Sequence, residues 1–121
     1  MTGDGSPEAE LKPLMYGYLR AAVVSGDDVV ERLERRLLEL AEAEGFCFAA
    51  TFRENRPGER GALSELTAEL RRAEARHVVV PSLEHLSRHP RVRDELLEQL
   101  REEAGAHVWT ADRIVAPACR L

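Results

Sequence analysis

The chain contains 121 residues, of which 44% are hydrophobic and 32% are charged, and these values are typical of one soluble globular domain. The net charge of -5 excludes a generally basic nucleic-acid-binding protein, so any contact with DNA has to come from a local basic patch. The sequence has no apolar run of about 18 residues and no secretory signal pattern, and we therefore expect a cytoplasmic protein without a membrane partner.

Predicted strands and helices alternate along the chain. The polar and acidic residues 1–13 are expected to form a disordered leader. Apolar runs predict strands at residues 14–20, 46–52, 77–80 and 106–110. Amphipathic patterns predict helices at residues 26–44, 62–75 and 90–104. Residues 112–121 are expected to form a C-terminal tail, in which Ile114 and Val115 are a weak candidate for a further edge strand.

Several residues mark the ends of the predicted helices. Ser25 is predicted to be the N-cap of the first helix, and Asp28 lies in the reciprocal capping position. Gly45 and Gly105 are predicted to end the first and third helices. Pro90 is predicted to begin the third helix, because proline is tolerated in the first turn.

This alternation predicts an α/β fold. Strands that are separated by helices form βαβ units with right-handed crossovers, which give a mostly parallel sheet. We expect three layers, with a flavodoxin-like sheet of four or five strands flanked by helices. The third strand is predicted to be central, and the folded unit is predicted to span residues 14–111.

The two cysteines are predicted to be free thiols. Cys47 lies in the apolar run FCF, where a small buried thiol is the favoured interpretation. Cys119 lies close to the C-terminus. Nothing in the sequence indicates secretion, so a disulfide is not expected.

Ligands of open α/β sheets bind beyond the carboxyl ends of the strands. The predicted ends of the first three strands and the loops after them carry Arg20, Arg53, Arg56, Arg60 and Arg88. Guanidinium groups suit phosphate, which makes a phosphodiester or a nucleotide the leading ligand class. Clustering alone favours the simpler interpretation that these arginines are solvent-exposed loop residues at the rim of the sheet and bind no ligand. Neither G-x-G-x-x-G nor G-x-x-x-x-G-K-[ST] occurs, so no nucleotide cofactor is expected.

Three segments in order resemble the catalytic domain of the resolvase/invertase-type serine recombinases: YGYLR at residues 16–20, GERGAL at residues 58–63 and VVVPSLEHLSR at residues 78–88. The resemblance implies the catalytic fold of that family over residues 14–111. In that family a serine two residues after the first-strand arginine attacks the DNA phosphate, and several arginines stabilise the developing charge. The resemblance gives phosphate-binding roles to Arg20, Arg60 and Arg88.

Three positions depart from the family pattern. Ala22 stands at the position of the nucleophile, and a methyl group cannot form a phosphoester. Glu84 replaces the signature aspartate. His85 replaces the arginine that follows it, with loss of the permanent charge and of the bidentate fork. We therefore predict a degenerate site, with no intact catalytic set, in a pseudoenzyme.

Other serines are poor replacements for the missing nucleophile. Ser25 is explained by its predicted capping role, Ser82 lies in another loop, and Ser87 matches a residue that is common in the family signature. In-line attack on a phosphate needs placement to about an ångström, which makes rescue by any of them an unfavoured hypothesis.

A metal site is also not expected. His85 and His89 are four residues apart, but Pro90 disfavours a helical conformation at His89. No third or fourth ligand is apparent from Cys47 or His107, so the prediction is that the protein binds no metal and no cofactor.

The sequence favours a catalytically inactive resolvase-like domain that acts as a regulatory or interaction module and contacts the DNA backbone weakly or binds another protein. Two alternatives remain open: an active DNA-nicking or strand-exchange enzyme with a non-standard nucleophile, and a small anion-binding α/β protein. The sequence ends at Leu121 without the long dimerisation helix and DNA-binding module of the family, so we expect a monomer or a weak homodimer.

Overall fold

The computed structural model describes residues 12–21, 26–56 and 59–111. In these ranges, strands and helices alternate in the order β1 (Leu14–Arg20), α1 (Asp27–Ala43), β2 (Cys47–Glu54), α2 (Gly61–Ala73), β3 (His77–Val80), α3 (Pro90–Ala104) and β4 (His107–Thr110). A 3₁₀ turn over Leu83–His85 lies between β3 and α3. Residues 1–11 of the predicted leader, the predicted tail with its candidate strand, Ser25 and Ala22 lie outside the described residues.

The four described strands form one parallel sheet in the order β2-β1-β3-β4. This topology confirms the predicted α/β fold with a mostly parallel sheet, and it confirms that the third strand lies in the interior. Because all four strands run in the same direction, their carboxyl ends lie along one edge, where the loops that lead into the helices meet.

Alternating side chains of β1 divide the core between the two faces of the sheet. On one face, Met15 and Leu19 belong to a buried cluster with Leu37 of α1. The cluster on the other face contains Tyr16, Tyr18, Leu66 and Leu70 of α2, and Leu100 of α3. Burying a leucine side chain contributes about 2 kcal/mol, so these contacts fix α1 on one face and α2 with α3 on the other.

Cys47 is exposed, and the prediction of a buried thiol is wrong. The reason is that β2 is an edge strand, so its apolar sequence is not covered as fully as that of an interior strand. The pairing of β2 with β1 is also irregular, since Met15 pairs with Phe48 but Gly17 pairs with Thr51. This extra residue in β2 is a bulge, which alters the orientation of the following side chains.

The strand β2 extends to Glu54, two residues beyond the predicted end, so Arg53 lies on the strand and not in the loop. The Arg53 guanidinium donates to both carboxylate oxygens of Glu34 on α1, with 2.7 Å between Nη2 and Oε1. This carboxylate raises the pKa of Arg53 above its ordinary value. Arg53 therefore joins α1 to the edge strand and is not a free ligand at the rim.

The first helix begins one residue later than the sequence predicts. Its N-cap is Gly26, which has a φ of 90° and makes no side-chain capping bond. That φ is readily adopted only by glycine, and the chain therefore enters α1 through Gly26 and not through the predicted Ser25. The predicted beginning and end of the third helix, at Pro90 and Gly105, are confirmed. None of the described helices is long and apolar enough to cross a membrane.

The single tryptophan lies on the face of β4 that joins the α1 cluster. The Trp109 ring centroid is 5.5 Å from that of Phe46, and its indole N–H donates to Nδ1 of His77 at 3.2 Å. His77 is half-buried, and burial lowers its pKa together with the positive charges of His107 and Arg76. Trp109 is half-buried and packs against the α1 cluster, whereas His107 at the start of β4 is exposed.

Substitution of Gly17 by alanine tests the close packing of β1 on β2. A Cβ at this position would lie 2.9 Å from Cζ of Phe48, so the phenyl ring has to move. We expect Gly17→Ala to lower the free energy of unfolding by about 1–3 kcal/mol, measured by urea denaturation. Gly61→Ala is the matched control, because a Cβ at that position would meet no atom within 4 Å and alanine favours the helix. Equal stability of the two variants would contradict this packing.

Candidate functional site

The candidate site lies at the carboxyl edge of the sheet, where β1 ends in Arg20 and β2 ends in Glu54. The 3₁₀ turn after β3 brings His85 to the same edge, and α2 and α3 begin there. These side chains lie at or just after the ends of parallel strands. The topology therefore brings together residues that are up to 65 positions apart in sequence.

Arg20 is buried, and its guanidinium is held by uncharged oxygen atoms. Its Nε donates to the His85 carbonyl at 3.3 Å, and Nη1 donates to the Glu59 carbonyl at 3.0 Å. Its Nη2 donates to the Tyr18 hydroxyl at 3.3 Å and to the Leu86 carbonyl at 3.4 Å. A guanidinium has five N–H groups, so these four bonds leave only one for another acceptor. Arg20 therefore connects the segments before Arg60 and before Arg88.

His85 is a buried, uncharged imidazole. Its Nδ1 accepts a hydrogen bond from the backbone N–H of Arg20 at 3.0 Å, which makes Nε2 the protonated nitrogen. Burial and the positive charge of Arg20 lower the pKa of His85 to about 4. The imidazole therefore does not replace the charge of an arginine at neutral pH, and it fixes the 3₁₀ turn to the end of β1.

Glu54 is a buried carboxylate that sequence reasoning missed. Its Oε2 accepts from the Tyr18 hydroxyl at 3.0 Å and from the backbone N–H of Leu63 at 2.9 Å. Leu63 is the third residue of α2, and Glu54 therefore caps the positive end of that helix from the neighbouring strand. The chain of bonds from Glu54 through Tyr18 reaches the Arg20 guanidinium.

Tyr18 is the middle member of this network. Burial is the main reason that its pKa is raised above the ordinary value, and the charge of Arg20 partly opposes this effect. The hydroxyl thus stays protonated, donating to Glu54 while accepting from Arg20. The only sequence signal for this site was an Arg-Glu pair, residues 53–54, after an apolar run, and nothing in the sequence indicates that the glutamate is buried.

The other two predicted phosphate-binding arginines differ in their surroundings. Arg60 is half-buried at the N-cap of α2, and its Nη1 is buried with no hydrogen-bond acceptor among the described residues. Arg88 is exposed in the turn before α3. Glu84, at the position of the signature aspartate, is exposed. The structure brings Arg20 and His85 into direct contact and leaves Arg88 at the surface.

The remaining serine candidates are explained by local structure or lie outside the described residues. The buried Ser87 accepts a hydrogen bond at Oγ from the backbone N–H of His89 at 3.1 Å, immediately before α3. Ser82 is half-buried at the start of the 3₁₀ turn. Within residues 12–21, 26–56 and 59–111, no three His, Cys, Asp or Glu side chains lie close enough together to hold a metal ion.

The family model described as "Resolvase, N terminal domain" matches residues 15–117. This chain belongs to the resolvase N-terminal domain family. The match confirms the family that the three sequence segments predict. No curated protein matches the chain.

Solved structures of serine recombinase domains share its fold. The N-terminal catalytic domain of TP901-1 integrase is 20% identical with a TM-score of 0.65, over 83% of this chain and 78% of that one. The C-terminal catalytic domain of ISC1926 TnpA, an IS607-like serine recombinase, is 17% identical with a TM-score of 0.65, over 88% and 77%. A resolvase family site-specific recombinase from Streptococcus pneumoniae is 16% identical with a TM-score of 0.65, over 84% and 74%.

Truncation of Glu54 tests its role as a buried cap. We expect Glu54→Ala to lower the free energy of unfolding by about 3 kcal/mol, because it leaves the Tyr18 hydroxyl and the Leu63 N–H without their acceptor next to the Arg20 charge. Glu54→Gln retains an acceptor oxygen and should cost about 1 kcal/mol. Glu65→Ala, at an exposed position of α2, is the matched control for urea denaturation. A Glu54→Ala protein as stable as the control would contradict the capping role.

The buried His85 makes stability depend on pH. Its pKa is about 4 in the folded protein against 6.5 in the unfolded chain, so its contribution is complete above about pH 7 and is lost as the pH falls towards 4. In His85→Asn, the amide oxygen can accept from the Arg20 N–H without titrating. Between pH 7 and pH 4.5, we expect the wild type to lose about 2 kcal/mol more unfolding free energy than His85→Asn. Parallel stability curves would refute this.

Proposed function

We propose that this protein is a non-catalytic resolvase-type domain that acts as a regulatory or interaction module. The sequence supports the loss of chemistry, since Ala22 stands where the family places its serine nucleophile and has no oxygen to attack a phosphate. Strand cleavage through a phosphoserine therefore has no nucleophile at the expected position.

The observation that carries the proposal is the engagement of Arg20. Four hydrogen bonds from its guanidinium go to three carbonyls and the Tyr18 hydroxyl, so one N–H group is left for a phosphate. The neighbouring His85 is uncharged at neutral pH, because its pKa is lowered to about 4. At positions 20 and 85, positive charge that could stabilise a transition state is therefore either used within the fold or absent.

A nicking assay with supercoiled plasmid tests the loss of catalysis. We expect neither the wild type nor Ala22→Ser to nick the plasmid or to form a covalent adduct with DNA on denaturing gels, because restoring the hydroxyl leaves Arg20 engaged and His85 uncharged. An active serine recombinase on a plasmid with its own site is the positive control. Nicking with an adduct by the wild type would establish the alternative of a non-standard nucleophile, and nicking by Ala22→Ser alone would refute the argument from Arg20.

We further propose that the module contacts the phosphate backbone of DNA weakly, with Arg88 as the main contact and Arg60 beside it. The start of α3 supports an electropositive surface at this edge, whereas the start of α2 is capped by Glu54. The first turn of α1 carries Asp27 and Asp28, whereas the first turns of α2 and α3 carry no acidic residue. A guanidinium near the positive end of a helix dipole is electrostatically unfavourable. A bound phosphate would offset the repulsion between these positive charges.

Fluorescence anisotropy of a labelled duplex at low salt tests the DNA contact. We expect binding that weakens steeply with salt, and we expect Arg88→Ala to weaken it about threefold to tenfold and to reduce the salt slope by about 1. Arg32→Ala removes an exposed arginine from α1, on the other face of the sheet, and should leave binding unchanged. Absence of binding at low salt, or equal loss in both variants, would contradict the DNA contact.

A further inference from the structure

A groove between α2 and α3 is lined by charged, polar and apolar side chains. Its volume is about 250 Å³, below the roughly 300–1,000 Å³ of pockets for drug-sized ligands, so only a compact ligand fits. The helix α2 contributes Arg60, Ser64 and Ala68, and α3 contributes Leu96 and Leu100. The groove begins at the carboxyl edge of the sheet, where α2 starts, and continues along the two helices.

Arg60 at the upper end of this groove lacks an acceptor. Its Nη1 is buried without a hydrogen-bond partner among the described residues, whereas the nearby Arg20 guanidinium makes four hydrogen bonds. A buried donor without a partner is destabilising, and the effect is larger for a charged group. Because Arg60 also lines the groove, rotation of its side chain would let the guanidinium bind a ligand oxygen there and correct this deficit.

The charges and polarity of the lining define the ligand. Two arginines, Arg60 and Arg71, face one glutamate, Glu103, so the groove is electropositive in a chain of net charge -5. Glu103 lies at the far end and accepts a hydrogen bond from Gln99. The Arg60 end is free of lining carboxylates.

Part of the α3 side of the groove is apolar. Leu100 is buried and Leu96 is half-buried, and both line the groove from α3. Ser64, one helical turn after Arg60, offers a hydroxyl that can donate to an anion. Small-molecule sites typically combine such an apolar wall with a few polar groups that fix orientation.

We propose that this groove binds a small organic anion, a carboxylate or a phosphate monoester with a compact apolar group. The anionic group binds Arg60 and Ser64, and the apolar group packs on Leu96 and Leu100. The proposal goes beyond the function argued above, because it adds a small-molecule site that shares only Arg60 with the proposed DNA contact, whose main residue is Arg88. It also does not depend on whether DNA is bound.

Titration of the full chain with benzoate and with phenyl phosphate, followed by amide and methyl NMR shifts, tests the proposal. We expect saturable shifts at the Ser64 amide and at the Leu96 and Leu100 methyl groups with at least one of these anions. Benzyl alcohol lacks the anionic group and inorganic phosphate lacks the apolar group, so each should bind at least about tenfold more weakly. Equal binding of inorganic phosphate and phenyl phosphate would refute the apolar part of the site.

Variants of the groove provide the second part of the test. We expect Arg60→Gln to weaken binding at least about tenfold, and Arg32→Gln on α1 to leave it unchanged. Because Arg60 is the N-cap of α2, a second variant avoids the helix start: Ala68→Leu at an exposed position fills the groove and should abolish binding while the melting temperature is retained.

Arg88→Ala separates this inference from the DNA contact, since it should retain anion binding even where DNA binding is lost. The proposal is overturned if neither phenyl anion gives saturable shifts in the wild type. It is also overturned if the shifts persist in Ala68→Leu and in Arg60→Gln, because binding would then occur elsewhere.

Discussion

The burial of the Arg20 guanidinium at the end of an interior strand is the constraint on which the rest of this edge depends. A buried cation is tolerated only when its donors are satisfied. Here the carbonyls of Glu59, His85 and Leu86 and the Tyr18 hydroxyl supply the acceptors. The same side chain therefore fixes Glu59 before α2 and the 3₁₀ turn before α3. These contacts set the positions at which the two helices that line the groove begin.

The residues of the candidate site and the residues that stabilise this edge of the fold belong to one hydrogen-bonded network. An arginine that holds two segments through main-chain carbonyls has one N–H group left for a phosphate, and His85 also contributes a hydrogen bond to the fold. The carboxylate of Glu54 balances the local charge and caps α2. The edge retains the fold of a resolvase-type domain, with Arg88 exposed and Arg60 Nη1 buried without an acceptor among the described residues.

Much of the fold could be predicted from the sequence because its signals are local. The β-branched run of β3 and the leucine spacing of the helices follow from side-chain periodicity, and the three ordered segments predicted the family. The errors have a tertiary cause. The apolar run at Cys47 gives no sign that β2 is an edge strand, and nothing local indicates that the strand continues through Arg53 to pair with Glu34. Likewise, no local feature of the sequence indicates that Glu54, the last residue of β2, is buried.

The sequence by itself determined the order of strands and helices, the family and the absence of a serine at position 22, because each depends on residue identity and short-range spacing. Only the tertiary structure decided what the arginines do. Whether a guanidinium is satisfied depends on which carbonyls the fold brings near it, and for Arg20 these come from residues 39 to 66 positions away. The same long-range packing buries Arg60 Nη1, for which the described residues supply no acceptor, beside the groove between α2 and α3.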